Sequence, residues 1–314
     1  MFGKEDVSFR VGAQTAFGTQ AASPKFYEVP RQASANVEHS RSKISSTAVY
    51  RDGYKRKFAL GNHKSAGTLP LAPNLEFLFL PLRGISGGYS AGTVTSGITP
   101  YTFDLTKMVL YHTWEVGFGS GLFYRHTDHV FNRIALKIPV EGEFTLDLGT
   151  EGSGNLEKNA ASIDPAASEL IGNTPEYANM TILQDGLDTG DISDLSVTIE
   201  RKLILKRPHN KGGKASELRF GGTEVTGELT AYFDSEARWE KALNSELIAL
   251  SAKLEDGSKF FQLTLPEVQL EPKGPALDGD DGLLQKFSFE SIVHTGTAPV
   301  HFALSIATPV ATWS

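Results

Sequence analysis

The chain has 314 residues, 40% hydrophobic and 10% aromatic, with a formal charge of −7 and no cysteine; its isoelectric point is near 5.7. That is enough apolar content for one sizeable core or two smaller ones, while the missing thiols exclude disulfides, thiolate metal sites and a cysteine nucleophile. The acidity argues against a general phosphate-binding surface, and no apolar run approaches the roughly 18 residues of a membrane span or the core of a secretory signal, so a folded protein made in a cytoplasm is expected.

Residues 7–30 hold turn formers, small residues and spaced aromatics, but no helical stripe and no catalytic motif. They are expected either to lie extended across a neighbouring molecule or to form a first edge strand on their own domain. Residues 73–80 read as a helix, with Pro73 in its first turn and Leu75, Leu78 and Phe79 as its stripe. Gly84-Ile-Ser86-Gly-Gly88 and Gly117-Phe-Gly119-Ser-Gly121 lack the Gly-Lys-Ser/Thr ending of a phosphate loop and read as hairpin tips or bends. Alternation predicts strands at Ile134-Leu136-Ile138-Val140 and Phe144-Leu146-Leu148, joined by a tight hairpin at Glu141-Gly142-Glu143. Residues 165–171 are a third helix candidate, within a Gly-, Ala-, Asn- and Ser-rich connection.

Further strands are predicted at Leu195-Val197-Ile199, at Val225-Gly227-Leu229-Ala231-Phe233, at Phe261-Leu263-Leu265 and at Phe287-Phe289. Between the second and third of these, Asp234-Ser235-Glu236 offers an N-cap and acidic first turn before Trp239 and Leu243, which share a helical face. Many strands with few short helices give a mainly β fold, an antiparallel β-sandwich or barrel with flanking helices. Two stretches resemble each other: Gly67-Thr-Leu69 before the first helix, and Gly227-Glu-Leu229 before the second. The expected organisation is therefore residues 1–30 as an extended arm, 31–150 and 195–314 as β-units of a possible duplication, and 151–194 as their connection.

The chemistry-bearing residues form no convincing motif. His112, His126, Asp128 and His129 suggest metal ligands, but on a regular strand His126 and Asp128 share a face while His129 points away. Asp278-Gly-Asp280-Asp281-Gly282 lacks the remaining ligands of a calcium loop, and Ser120 is not in a hydrolase elbow. No catalytic residue, cofactor site or metal site is assigned. Arg201, Lys202, Lys206, Arg207, His209, Lys211 and Lys214 form a basic cluster without interleaved aromatics, which suits a solvated loop or contact with an acidic neighbouring subunit better than nucleic acid.

Three places are similar to the tail tube (major tail) proteins of long, non-contractile-tailed bacteriophages. The first is Gly12-Ala-Gln14-Thr15-Ala-Phe17-Gly18-Thr19 with the following Phe26-Tyr27-Glu28-Val29-Pro30, although Gln14 stands where an acidic residue is common. The second is Gly222-Thr-Glu-Val-Thr226-Gly227-Glu-Leu229 running into Phe233-Asp234. The third is Gly257-Ser-Lys-Phe-Phe261 onward to Leu284-Gln-Lys-Phe287-Ser-Phe289-Glu. The resemblance implies a structural virion protein whose sheets join side by side into rings, stacked into a hollow tube for DNA. Rings would contain three chains with pseudo-sixfold symmetry or six chains, with other tail proteins at the tube ends and no membrane insertion, cofactor or enzymatic activity. Phe17, Phe26, Tyr27, Arg207 and Lys211 are the expected inter-subunit contacts. A carbohydrate- or receptor-binding β-sandwich of a virion is the alternative, to be marked by exposed Trp and Tyr on one sheet face. A β-rich hydrolase with paired carboxylates is a further rival.

Overall fold

The structure is a computed structural model that describes residues 6–32, 34–45, 54, 58–139, 142–170, 180–188, 190–233, 236–272, 274, 276–277, 283–293, 296 and 298–307. Among the described residues it is mainly β and almost wholly antiparallel, with two α-helices. Strand β1 (Val7–Ala16) turns at Gly18 into β2 (Thr19–Gln20), followed by β3 (Tyr27–Glu28), β4 (Asn36–Ile44) and β5 (Ala59–Leu71). Helix α1 (Leu75–Ser86) precedes β6 (Ser90–Ala91), β7 (Ile98–Asp104), β8 (His112–Phe118), β9 (Leu122–Ile138) and β10 (Thr145–Asn159). Short strands β11 (Ser168–Glu169), β12 (Met180–Gln184) and β13 (Leu187–Asp188) lead to the long hairpin of β14 (Ile192–Lys206) and β15 (Glu217–Tyr232). Helix α2 (Ala237–Leu243) is followed by β16 (Leu247–Asp256), β17 (Lys259–Leu270), β18 (Ala276–Leu277), β19 (Leu283–Ser291) and β20 (His301–Ala307).

The alternating runs become strands because one face of each is apolar. Across the central ladder, Leu71, Leu146, Leu136, Val197, Gly227, Phe289 and Leu270 stand in one row, and Leu69, Leu148, Ile134, Ile199 and Val225 in the next. Their side chains are buried in one continuous core, where each large aliphatic contributes about 1.5–3 kcal/mol. Helix α1 seals this core. Asn74 is its N-cap, accepting from the Phe77 amide at 2.8 Å, and Gly87 ends it in the left-handed region with φ 81°. Pro73 therefore precedes the helix instead of lying within its first turn. The helix continues through Pro81 and Gly84, which read as breakers, because nearly every residue along it is buried and that packing outweighs the roughly 3 kcal/mol cost of an internal proline.

Other expectations need correction. Gly84 and Ser86 end α1 and Gly87 caps it, so that glycine-rich run is a helix terminus, not a hairpin tip. Residues 165–170 do not form the expected helix: Pro165 and Ala166 make a turn, and Ser168–Glu169 pair in parallel with Tyr27–Glu28, while Ile171 lies outside the described residues. The stretch read as a connection begins as strand, since β10 runs on to Asn159 against β9. Asp234 and Ser235, the expected cap of α2, and Val140 and Glu141 of the expected hairpin lie outside the described residues.

The pairing order has a regularity. Strands run β4-β5-β10-β9-β8-β1 by adjacency, and again β14-β15-β19-β17-β16-β12, with α1 after β5 and α2 after β15. The two runs meet where the C-terminal half of β9 pairs with β14, Ile138 opposite Leu195 and Lys137 opposite Ser196. The correspondence reaches single residues. Gly67 faces Val37 on one side and Thr150 on the other, as Gly227 faces Val197 and Phe289. Both positions require glycine for the same reason: a Cβ would come within 2.4 Å of the Asn36 carbonyl oxygen at Gly67, and within 2.3 Å of the Ser196 carbonyl oxygen at Gly227.

Candidate assembly surfaces

The face opposite the core of the central ladder is polar. Its rows place Asp147 beside Ala135, Thr198, Thr226 and Glu290; Arg133 beside Glu200 and Glu224; and Lys137 beside Ser196, Glu228 and Ser288. With Asp194, Lys202 and Lys286, the carboxylates Asp147, Asp194, Glu200, Glu224, Glu228 and Glu290 outnumber the cations Arg133, Lys137, Lys202 and Lys286, of which Lys286 pairs with Glu228 at 2.7 Å. Glu200 directly faces Glu224, a like-charge pair that costs stability in an isolated sheet. None of these side chains converges on a pocket. The face is a broad acidic wall, which repels phosphate.

The sheet also ends in unsatisfied edges. Among the described residues β4 pairs with β5 alone and β18 with β19 alone. The outer edge of each has no strand partner among the described residues, and such an edge templates pairing with another chain. Beside the start of β4 lies a cavity of about 450 Å³, lined by Val7, Phe9, Val37, Val116, Phe118 and Tyr124 among others.

Buried polar residues serve as internal fasteners. Strand β9 carries a bulge at Asp128, a non-glycine residue at φ 60°. The extra residue resets the alternation, so His126 and His129 both reach Ser65, at 3.0 and 2.8 Å, instead of pointing apart. The Asp128 carboxylate accepts from the Gly18 amide at 2.5 Å, and from Gln14, Ser153 and Asn155, which ties the β1–β2 turn to β9 and β10. Burial lowers His112 to about 3 and His126 to about 4, and it holds His129 well below the usual histidine range. These are neutral core histidines. No group of three or more metal-ligating side chains occurs among the described residues.

Glu115 is a second fastener. Its fully buried carboxylate accepts from Arg125 Nε at 2.9 Å, Ser162 Oγ at 2.5 Å and the Ile163 amide at 2.8 Å, with Arg10 at 3.8 Å. Arg10 also pairs with Glu28 at 3.0 Å and donates to Ser162 at 2.8 Å. The cluster clamps residues 161–164 onto β1, β3, β8 and β9. A third fastener is Arg201, which donates to the Ile85 and Thr106 carbonyls, packs 3.7 Å over the Phe220 ring and is lowered by burial to about 10.

The residues expected at contacts are dispersed. Residues 7–16 form a strand on their own domain, between β8 and β3, and Phe26 and Tyr27 are buried in the chain itself. Phe17 packs edge-on against Tyr111 at 5.5 Å. Arg207 donates to the His63 carbonyl at 3.1 Å, whereas Lys211 is exposed on a short 3₁₀ turn between β14 and β15. Trp114 is fully buried and Trp239 half-buried, so neither marks a sugar-binding face; Trp313 lies outside the described residues. Net acidity is consistent with an acidic wall, but sequence reasoning did not place its residues, nor the β4 and β18 edges, nor the Glu115 clamp. Only the wall left a signal, in alternating polar positions such as Thr226, Glu228 and Thr230.

A β protein with one acidic sheet face, and with edge strands that lack a second strand partner among the described residues, suits a structural role. Comparison of the sequence sharpens the class: the family model described as phage tail tube protein matches residues 5–291, and the chain belongs to that family. No curated protein matches at a significant level. The protein is a structural component of the virion that assembles with copies of itself and other tail proteins into a multimeric tube. No helix among the described residues is long and apolar enough to cross a membrane.

Proposed function

We propose that three copies of this chain form one ring of the tube, that each copy contributes two homologous β-units, and that stacked rings enclose a lumen through which the genome passes. The observation that carries this reading is the repeated pairing order, including the glycines at matching ladder crossings. On that register β1 belongs with the first unit and β12 with the second, so the units extend beyond residues 31–150 and 195–314. Six units per ring then require three chains.

The acidic wall faces the lumen in this arrangement. Like charges such as Glu200 and Glu224 are tolerated because repulsion between wall and phosphate keeps DNA mobile. The role needs no catalysis and no cofactor. Exposed Lys211 is left for contact with an acidic surface of an adjoining subunit. Replacing Glu200, Glu224 and Glu228 by lysine tests the lumen assignment. Assembled tubes of the parent are expected not to shift linear DNA in a gel, whereas the triple variant binds it with an affinity that falls steeply as salt rises from about 50 to 200 mM. Tubes of the triple variant that leave DNA as free as the parent does would remove this wall from the lumen.

A further inference from the structure

The internal seam between the two pairing runs has a counterpart with one side missing. Within the chain, the seam is β14 against the C-terminal half of β9: Ser196 faces Lys137, and Leu195 faces Ile138. Val197, next to Ser196, faces Gly227, just as Val37, next to Asn36, faces Gly67. Asn36 thus occupies in β4 the place of Ser196 in β14, yet the edge of β4 that would match the seam has no partner among the described residues.

The other half of the missing seam is found at the end of the second run. Lys137 faces Thr145, and Ala276 faces Leu284; Thr145 and Leu284 lie the same distance before Thr150 and Phe289, the residues that face the two glycines. Strand β18 therefore continues β17 as the C-terminal half of β9 continues its N-terminal half. The bulges agree: the register slips between His112 and Trp114 in the β8–β9 pair and between Ile248 and Leu250 in the β16–β17 pair. Strand β18 stands where β9 meets β14, but among the described residues it pairs with β19 alone.

We infer that the seam between subunits repeats the seam within the chain: β4 of one subunit pairs antiparallel with β18 of the next, Asn36 opposite Ala276 and Ala35 opposite Leu277. This rests on the three-chain ring proposed above and specifies how it closes. The cavity beside β4 fits the same geometry. In the internal seam Ile138 lines a recess with Met180 and Ile182. Met180 and Ile182 face Leu254 and Ala252 across the β12–β16 pair, as Val7 and Phe9 face Phe118 and Val116 across the β1–β8 pair. Val7 and Phe9 line the larger cavity together with Ala35 and Asn36, so the pairing sets the β18 backbone of the next subunit beside the counterpart of the recess at the internal seam. A second copy of this chain is the occupant because both halves of the seam belong to it, and pairing satisfies both free edges at once.

The absence of native cysteine makes the register measurable. Neighbouring antiparallel pairs alternate between hydrogen-bonded and closer non-hydrogen-bonded types, so one of two adjacent pairs suits a disulfide. Two double variants, Asn36→Cys with Ala276→Cys and Ala35→Cys with Leu277→Cys, are assembled, inspected by electron microscopy and oxidised. At least one is expected to give covalent species of up to three chains on a non-reducing gel, while each single variant gives no such ladder. Lys137→Cys with Ser196→Cys and Ile138→Cys with Leu195→Cys are the matching controls, and at least one closes within one chain. Three-chain rings in which a control closes and neither double variant links would overturn the seam and leave the ring standing. Six-chain rings, or none, would overturn the ring and the seam with it. In the unmodified protein, backbone amide exchange along β4 is expected to slow on assembly. Unchanged exchange in formed tubes would likewise refute the pairing.

Discussion

Acidification from pH 6.5 toward 4 is expected to destabilise the folded chain steeply. His112, His126 and His129 are buried, and desolvation lowers them to about 3, about 4 and well below the usual range respectively. The sign follows from proton counting. The unfolded chain binds protons at these groups near pH 6.5 while the folded chain does not, so the stability they contribute is fully present above 6.5. It is lost as pH falls toward the folded values. The three losses act in the same direction and together weigh against a typical total stability of about 5–15 kcal/mol. Denaturant midpoints of the unassembled protein at pH 7, 6, 5 and 4 measure it. A midpoint that stays level from 7 to 5 would show that these histidines carry their protons in the folded chain.

Glu115→Ala is the second large effect, a loss of about 3–5 kcal/mol, because it leaves the partly buried Arg125 without its acceptor and Arg10 without one of its two counter-charges. The same substitution removes the acceptor of the Ser162 hydroxyl and the Ile163 amide and leaves residues 161–164 held by Arg10 and Arg125 alone among these groups, so protease cleavage there should appear before global unfolding. Glu115→Gln keeps the shape but not the charge and should fall between variant and parent. Equal stability of Glu115→Ala and parent in urea, with no new cleavage site, would show that the clamp is dispensable.

These fasteners also explain which parts of the molecule were legible in sequence. Strands such as Leu195-Val197-Ile199 and Phe261-Leu263-Leu265 were readable because one face packs into the core and the other meets water, and that contrast is written in period two. The likeness of Gly67-Thr-Leu69 and Gly227-Glu-Leu229 was readable because close backbone approach at each crossing forces glycine. The helix α1 was read too short, since Pro81 and Gly84 are local breakers overruled by burial on all sides. His129 was assigned to the wrong face because one bulged residue, Asp128, inverts everything after it. The clamp at Glu115 joins it to residues far along the chain, and no local pattern announces such a contact. The polar wall was visible strand by strand, but its rows depend on register, which long-range pairing sets.

Three duplicated chains closing one ring is the central claim, and electron microscopy of assembled tubes combined with mass per unit length tests it most directly. The account predicts a hollow tube with three chains per ring and pseudo-sixfold symmetry in projection. Six chains per ring, or particles that remain monomeric at high concentration, would contradict it.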